Sequence, residues 1–319
     1  MGTTYTVKVA PGASPSLATR IAELEGRVRQ ALDEVDRLMS TFRPDSELSR
    51  FNRAPANVPV ALSPDTIEVF SLALEVHRES GGAFDVTVGP LVEAWGFGPE
   101  RHRRPPAADA LQELRDRVGS HLLQLDPAAG TLTKIREGVE CDLSAVAKGY
   151  AADRVATALA AAGVDRYMVE LGGEVRVHGL NRNDRPWQIG VERPLPGQRG
   201  VQRILPLTEG GLATSGDYRN FYEIGGRRYS HALDPRTGAP VTHSLASVSV
   251  LAADCATADA WATALLVLGP DEGYRLAEER NIRAFFLVHD NDTGVVVLAT
   301  TALERDLDDG SPAATPREP

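Results

Sequence analysis

Residues 141–153 read CDLSAVAKGYAAD, and this stretch indicates a strand end that runs into a helix. Ser144 is a suitable N-cap for that helix. The free N–H groups of its first turn would attract an anion, and Lys148 lies one turn further on, where its ammonium could reach the same anion. On residue types alone, a phosphate site and a capped helix with a solvated lysine are both consistent with this pattern.

The segments on either side predict a mixture of helices and strands, because apolar residues recur at helical spacing or in short β-rich runs between Gly and Pro. Helices are expected at Ser16–Met39, Pro64–Ser80, Ala107–Val118, about 145–162, Cys255–Leu268 and Asp271–Glu279. Strands are expected at Thr3–Val9, Leu122–Leu125, Leu132–Ile135, Tyr167–Leu171, Trp187–Val191, Phe221–Ile224, Arg228–Ser230, Leu245–Leu251, Ala284–His289 and Val295–Ala299. The mixture predicts an α+β fold, as one unit over residues 1–303 that could have two lobes.

Composition places the chain among globular proteins and excludes several classes. Of its 319 residues, 42% are hydrophobic and 24% charged, which excludes a largely disordered chain. Residues 304–319 differ, since they are acidic and Pro-rich with almost no apolar residues, and we expect a disordered tail there. With 34 basic and 44 acidic residues the formal net charge is -10, which argues against nucleic acid as a partner.

The sequence constrains the cellular location and the disulfide bonding of the chain less tightly than its fold class. No stretch is long and apolar enough to predict a transmembrane segment. The first residues show no signal peptide, so we expect a cytoplasmic protein, or an exported or lipid-anchored one if an upstream segment was removed. Cys141 and Cys255 exclude a disulfide scaffold but leave one disulfide open.

Two further segments carry candidate chemistry. His231 is expected between a β-hairpin and a tight Asp-Pro turn. A lone histidine usually has a structural role, but one flanked by hydroxyls and acids in a turn is a better candidate for proton transfer. Asp259 and Thr263 are spaced i, i+4 and share one helix face, where two oxygen ligands suit Mg²⁺. A helix-dipole role for Asp259 with a merely packed Thr263 is the plainer alternative.

Motifs of other enzyme classes are missing. The chain has no Gly-x-x-x-x-Gly-Lys-Ser/Thr phosphate loop and no Gly-x-Gly-x-x-Gly fingerprint between a strand and a helix. It also lacks a Gly-x-Ser-x-Gly elbow. Conventional NTPase, Rossmann dehydrogenase and serine hydrolase interpretations are therefore disfavoured.

Taken together and in order, the polar segments resemble the ApbE family, the Mg²⁺-dependent FAD:protein FMN transferases. The resemblance runs from Met1 to about Leu268 and is carried by STFRPDS (40–46), GAFDVTVGPL (82–91), DLSAVAKGYAAD (142–153), LGGE (171–174), ATSGDY (213–218), HALDPRTG (231–238) and ADAWAT (258–263). Each motif is weak alone, whereas their common order and spacing are specific. The resemblance implies an α+β fold with FAD between lobes, and an activity that joins FMN to a Thr or Ser hydroxyl of an acceptor flavoprotein and releases AMP.

Site residues follow from the resemblance, position by position. Those that match flavin-contacting positions are Met1, Phe42, Ala83, Phe84, Asp85, Asp142, Lys148 and, with a looser alignment, Leu233. Those that match the Mg²⁺ site are Ala145, through its backbone carbonyl, Asp259 and Thr263. His231 matches a motif histidine expected to accept the proton of the attacking hydroxyl, and Lys148 and Asp259 complete the expected catalytic set.

Two positions depart from the family pattern. Position 42 is Phe where Tyr is frequent, which removes a hydroxyl but allows ring stacking. Position 262 is Ala where some members carry a second acidic metal ligand. These departures keep open a protein that only binds FAD, and nothing in the residues separates transfer from an FAD pyrophosphatase in which water attacks. Mn²⁺ could replace Mg²⁺, because both accept oxygen ligands.

Overall fold

The computed structural model of the chain describes residues 2–10, 20–98, 104–194, 200–217, 220–290 and 294–309. Its helices are α1 (Ile21–Met39), α2 (Glu47–Arg53), α3 (Pro64–Glu79), α4 (Gly89–Ala94), α5 (Ala108–Arg115), α6 (Ala147–Ala161), α7 (Cys255–Glu279) and α8 (Thr301–Asp309). Its strands are β1 (Tyr5–Val9), β2 (Val60–Ala61), β3 (Leu123–Asp126), β4 (Thr131–Lys134), β5 (Tyr167–Leu171), β6 (Glu174–His178), β7 (Trp187–Glu192), β8 (Val201–Leu207), β9 (Glu209–Gly216), β10 (Phe221–Ile224), β11 (Arg227–Ser230), β12 (Leu233–Asp234), β13 (Ala239–Pro240), β14 (Leu245–Ala252), β15 (Arg283–Asp290) and β16 (Gly294–Ala299).

The main sheet organises the fold. Within the described residues it contains seven strands in the order β1-β5-β6-β9-β14-β15-β16, and each neighbouring pair is antiparallel. Helices α1, α6 and α7 pack on one face of this sheet, while β7, β8 and α8 cover the other. Alternate residues of β15 show the division, since Phe286 joins the helical side and Phe285 the opposite side.

A smaller part of the fold lies between α1 and α6 along the chain. It contains α2 to α5 and a short sheet in the order β2-β4-β3. Phe51 and Phe70 of this part belong to the same hydrophobic cluster as Leu265 of α7, so the two parts share one core. The α+β class predicted from the sequence is therefore confirmed, and a cavity can form where the parts meet.

Most predicted elements are present with small changes at their ends. β5 and β10 match the expected bounds, and Ser63 caps α3 by accepting a hydrogen bond from the Thr66 N–H. The two helices expected after Cys255 form α7, which is interrupted at Gly269, where φ is 81° and Pro270 follows. The first residues of the expected Ser16–Met39 helix lie outside the described residues.

The chain near residue 304 differs from expectation. The tail was expected to begin at Glu304, but α8 continues to Asp309. Leu303 is fully buried, Leu307 packs against the same cluster, and Arg283 pairs with Asp306 at 2.8 Å. These contacts hold an acidic segment in a helix although its composition predicts disorder. The remainder of the expected tail, 310–319, lies outside the described residues.

The segment before α6 also differs from expectation. Residues 141–146 form no strand, and the N-cap position of α6 is Val146 rather than Ser144. The Asn52 side chain accepts a hydrogen bond from the Cys141 N–H at 2.8 Å and donates one to the Cys141 carbonyl at 2.9 Å. It thereby satisfies the backbone groups that a neighbouring strand would otherwise pair with. The Ser144 N–H donates to the Asp142 carboxylate at 2.8 Å, so a turn precedes the helix and Ser144 is not its cap.

Cysteine pairing and membrane insertion can be checked directly. Cys141 and Cys255 are both free and buried, so the disulfide that the sequence left open is not formed. None of the helices in the described part of the chain is long and apolar enough to cross a membrane.

A glycine at the crossing of α6 and α7 gives a prediction about stability. A Cβ built on Gly149 would lie 2.2 Å from the Cys255 carbonyl oxygen, whereas one on Gly26, in the exposed middle of α1, meets nothing within 4 Å. We expect Gly149→Ala to lower the free energy of unfolding by about 2–3 kcal/mol through overpacking. The control Gly26→Ala should raise it by about 0.5–1 kcal/mol. Chemical denaturation of both variants measures this, and equal stabilities would contradict the close helix crossing.

Candidate active site

A cavity of about 500 Å³ lies between the two parts of the fold. Its volume is in the range typical of sites for small molecules and cofactors. The predicted site residues that line it are Ala83, Phe84, Asp85, Asp142, Ala145, Lys148, His231, Leu233, Asp259 and Thr263. The structure therefore brings together residues that are up to 180 positions apart in the sequence.

Two predicted flavin-contacting residues are not among these. Phe42 follows α1, is 68% exposed and does not belong to the cavity lining. Met1 lies outside the described residues. The part of these two residues in flavin binding stays a prediction.

The centre of the cavity is charged. The Lys148 ammonium lies 2.5 Å from Oε1 of Glu174 and 3.3 and 3.4 Å from the two carboxylate oxygens of Asp259. Both acids are only 2% exposed. Oδ2 of Asp259 also accepts the Gly149 N–H at 3.0 Å, so the first turn of α6 holds this carboxylate. Two carboxylates against one ammonium give the group a net negative charge when all are ionised.

The charges of this group shift one another's protonation. Burial alone would lower the pKa of Lys148, but the carboxylates of Asp259 and Glu174 outweigh it and raise that pKa well above its usual range. Burial and the charge of Asp259 raise the pKa of Glu174 to about 7, although the Lys148 ammonium opposes this. Lys148 is therefore protonated near neutral pH and can attract an anion that enters the same cavity.

The residues predicted to hold Mg²⁺ offer a suitable set of oxygen donors. Asp259 and Thr263 lie one turn apart on α7, and both line the cavity with Ala145. The Gly149 N–H, which would bond to the Ala145 carbonyl in a regular helix, donates to Asp259 instead. Among the described backbone groups none donates to that carbonyl, so it is free to bind a cation. A carboxylate, a hydroxyl and a carbonyl suit Mg²⁺.

The acidic part of this donor set is small. No group of three or more His, Cys, Asp or Glu side chains in the described ranges is arranged to hold a metal ion. Ala262, at the position where a second acid was considered, is fully buried. A cation here would be coordinated by the Asp259 carboxylate, the neutral oxygens of Thr263 and Ala145, and phosphate oxygens of a substrate.

Asp85 organises one wall of the cavity through its carboxylate. It accepts hydrogen bonds from the backbone and hydroxyl groups of Thr87 and Ser120, and His77 Nδ1 lies 3.1 Å away. Burial alone would raise the pKa of Asp85, but the hydrogen bonds from His77 and Thr87 lower it below its usual value. The carboxylate is thus occupied by the protein and fixes the loop that carries Ala83 and Phe84.

His231 lies where the sequence predicted, between β11 and the turn that begins at Asp234. Its Nδ1 is 3.0 Å from the backbone carbonyl of Asn220. Because a carbonyl only accepts, Nδ1 carries the proton and Nε2 keeps a free lone pair. Burial, assisted by the Lys148 charge, lowers the pKa of His231, although Asn220 and Asp217 act in the opposite direction. The ring is therefore neutral near pH 7 and can accept a proton at Nε2.

Glu174 and Ser215 belong to the motifs LGGE (171–174) and ATSGDY (213–218), but neither residue was predicted to have a role in the site. Glu174 begins β6 and is opposite Leu171 across the two-residue Gly172-Gly173 turn. That signal was present in the sequence, since two glycines between β-rich runs predict a hairpin. The Ser215 hydroxyl lies 3.2 Å from that of Thr263, so it can orient the hydroxyl of a predicted metal ligand.

Comparison with known proteins agrees with this geometry. The model of the ApbE family matches residues 1–286. The FAD:protein FMN transferase of Haemophilus influenzae is 41% identical over 310 residues, which cover 96% of this chain and 89% of that protein. The Vibrio cholerae protein of the same name is 43% identical over 295 residues, which cover 92% and 86%.

Solved structures agree as well. The flavin transferase ApbE from Vibrio cholerae superimposes with a TM-score of 0.86 at 41% identity, covering 96% of each chain. The apo form of the Pseudomonas stutzeri flavinyl transferase ApbE gives a TM-score of 0.85 at 38% identity, covering 96% of this chain and 93% of that one. The resemblance seen in the sequence is thereby confirmed: the chain belongs to the ApbE family.

Proposed function

We propose that the chain transfers FMN from FAD to a Thr or Ser hydroxyl of an acceptor protein and releases AMP, with Mg²⁺ required. The observation that carries this proposal is the cavity that combines Lys148, the oxygen donors around Asp259, and a neutral His231. Relatives named FAD:protein FMN transferase, each covered over more than four fifths of its length, support the same reaction.

Each residue has a defined task in this proposal. Asp259, Thr263 and the Ala145 carbonyl would hold Mg²⁺, which would neutralise pyrophosphate charge and orient the phosphorus when bound. Lys148 places a permanent positive charge beside the same phosphates. His231 accepts the proton of the acceptor hydroxyl at Nε2, while its Nδ1–H stays on Asn220. The attacking oxygen forms the new P–O bond as the bond to AMP breaks.

Hydrolysis of FAD is the alternative to be separated from transfer. Water could take the place of the hydroxyl in the same cavity, which would give free FMN and AMP. A protein that only binds FAD would release neither. An enzyme accounts better than simple storage for the cavity lining, because storage of FAD requires neither a neutral histidine nor an ammonium and a free carbonyl in the same cavity.

The experiment uses the purified chain, FAD, Mg²⁺ and a polypeptide that carries an acceptor threonine. We expect AMP in solution and flavin fluorescence on the polypeptide after denaturing electrophoresis. A second polypeptide with that threonine changed to valine should stay dark. Release of AMP and free FMN with no labelled polypeptide would show that the chain hydrolyses FAD instead. Flavin binding without AMP release would show that the chain only binds FAD.

The lowered pKa of His231 predicts the pH dependence of transfer. A base must be unprotonated to act, and the reference pKa of histidine is about 6.5. Because burial lowers the pKa of His231, the neutral form persists to more acidic pH. We expect the ring to stay neutral down to about pH 6.5, so His231 lowers kcat/KM only below that pH. Protonation of Glu174, whose pKa is raised to about 7, acts separately in the wild type. The pH profile of transfer is therefore measured in Glu174→Gln, which has no carboxyl at this position, and a midpoint above pH 7 in that variant would contradict the buried, neutral ring.

A further inference from the structure

Glu174 has a feature that the proposed reaction does not use. Its side chain is 2% exposed and lines the cavity, and its Oε1 accepts a hydrogen bond from the Lys148 ammonium. Its other oxygen, Oε2, is buried and has no hydrogen-bond partner among the described residues. Buried carboxylate oxygens are rarely left in this state, because the lost hydration is not replaced. An open acceptor beside Lys148 therefore indicates a donor that reaches it in another state of the site.

Lys148 supplies such a donor. An ammonium has three N–H groups. In the structure Lys148 reaches Glu174 at 2.5 Å and the two oxygens of Asp259 at the longer distances of 3.3 and 3.4 Å. A divalent cation on Asp259 would repel this ammonium strongly at such short range. Lys148 must then give up Asp259 and yet remain in a cavity where an unpaired charge is costly.

We propose that Glu174 is a positioning residue that retains the Lys148 ammonium when Asp259 turns to the metal. The inference rests on the proposed function, since it takes Asp259 as a metal ligand. Oε2 of Glu174 is the acceptor for an N–H that Asp259 releases. Without the Glu174 carboxylate, Lys148 has Asp259 as its remaining carboxylate partner among the described residues, and it competes with the metal for that side chain.

The test is a double-mutant cycle on metal affinity, which needs no catalysis. Mn²⁺ binding to the full chain is measured by electron paramagnetic resonance at about pH 8, where Glu174 is mainly ionised, for wild type, Glu174→Gln, Lys148→Met and the double variant. We expect Glu174→Gln to weaken Mn²⁺ binding about tenfold, within the range seen when residues behind a metal ligand are changed. Lys148→Met should tighten it, because the competitor is gone. Adding Glu174→Gln to Lys148→Met should change the affinity less than about threefold.

Other results would overturn the inference. An equal loss on Glu174→Gln in both backgrounds would mean that Glu174 acts on the metal by its own charge rather than through Lys148. No loss in either background would remove Glu174 from metal binding. Mn²⁺ binding that is unchanged by Asp259→Asn would overturn the proposed metal site itself, and that result is distinct from failure of the cycle.

Two controls guard against a folding defect. Glu170→Gln lies in the same hairpin, where Glu170 accepts the Gly173 N–H at 3.0 Å, and an amide oxygen can still accept it. This variant should keep wild-type Mn²⁺ affinity. Thermal unfolding of all variants checks the fold, and Lys148→Met with tighter binding than wild type supports the competition even if Glu174→Gln is less stable.

Discussion

Asp259→Asn should lower the rate of AMP release from FAD by about 10³-fold, because it removes the charged ligand on which the proposed Mg²⁺ site depends. No group of three or more acids, histidines or cysteines in the described residues is arranged to hold a metal ion without it, and Ala262 has no ligand atom in its side chain. The substitution should leave the fold intact, since an Asn oxygen can still accept the Gly149 N–H that Asp259 accepts at 3.0 Å. The measurement is the initial rate of AMP formation at saturating Mg²⁺.

A control on the same helix separates metal loss from helix disturbance. Asp254 is the N-cap of α7 and accepts the Thr257 N–H at 2.7 Å, a bond that Asn also makes. Asp254→Asn should therefore keep the wild-type rate. Near-normal, Mg²⁺-dependent AMP release by Asp259→Asn would show that the metal binds elsewhere.

Loss of the His231 base should lower transfer by about 10²–10⁴-fold, the usual contribution of a positioned general base. Two variants examine the two nitrogens separately. His231→Asn keeps an N–H near the position of Nδ1, which can still donate to Asn220, while His231→Gln places an amide near Nε2. Neither amide is basic, so both variants should lose transfer while FAD binding, followed by flavin fluorescence, stays nearly unchanged.

The matched control is a histidine outside the cavity. His178 lies on β6, where its ring packs at a tilt against Tyr167 and its Nδ1 is 3.8 Å from the Glu209 carboxylate. His178→Gln should transfer FMN at the wild-type rate. If His231→Asn transferred as fast as His178→Gln, proton acceptance would belong to another group.

Most candidate residues that the sequence singled out line one cavity, whereas the local structure around them was predicted less well. The i, i+4 spacing of Asp259 and Thr263 places both on one side of α7, because helix periodicity is a local property. Ser144 was assigned wrongly as a cap, because residues 144–146 form a turn and α6 begins only at Ala147. The contact between Asp142 and the Ser144 N–H is a local Asx turn that the Asp-x-Ser spacing could have indicated. The pairing of Cys141 with Asn52 joins residues 89 positions apart and has no signature in the segment itself.

Other elements were missed because tertiary packing determines them. β9 contains Gly210 and Gly211 and has weak strand propensity. A Cβ on Gly211 would lie 2.5 Å from the backbone of Cys255, so the glycine is needed for α7 to pack on the strand. The ion pairs that Lys148 makes with Glu174 and Asp259 were likewise not predicted, because they join α6, β6 and α7 and the residues lie up to 111 positions apart.

The most direct test of the account is AMP release from FAD by the purified chain in the presence of an acceptor polypeptide, first with Mg²⁺ and then with a chelator. The account predicts AMP in step with labelled acceptor when Mg²⁺ is present, no AMP with chelator, and recovery when Mg²⁺ is added back. AMP release that continues unchanged in chelator would contradict the metal site built on Asp259, Thr263 and the Ala145 carbonyl.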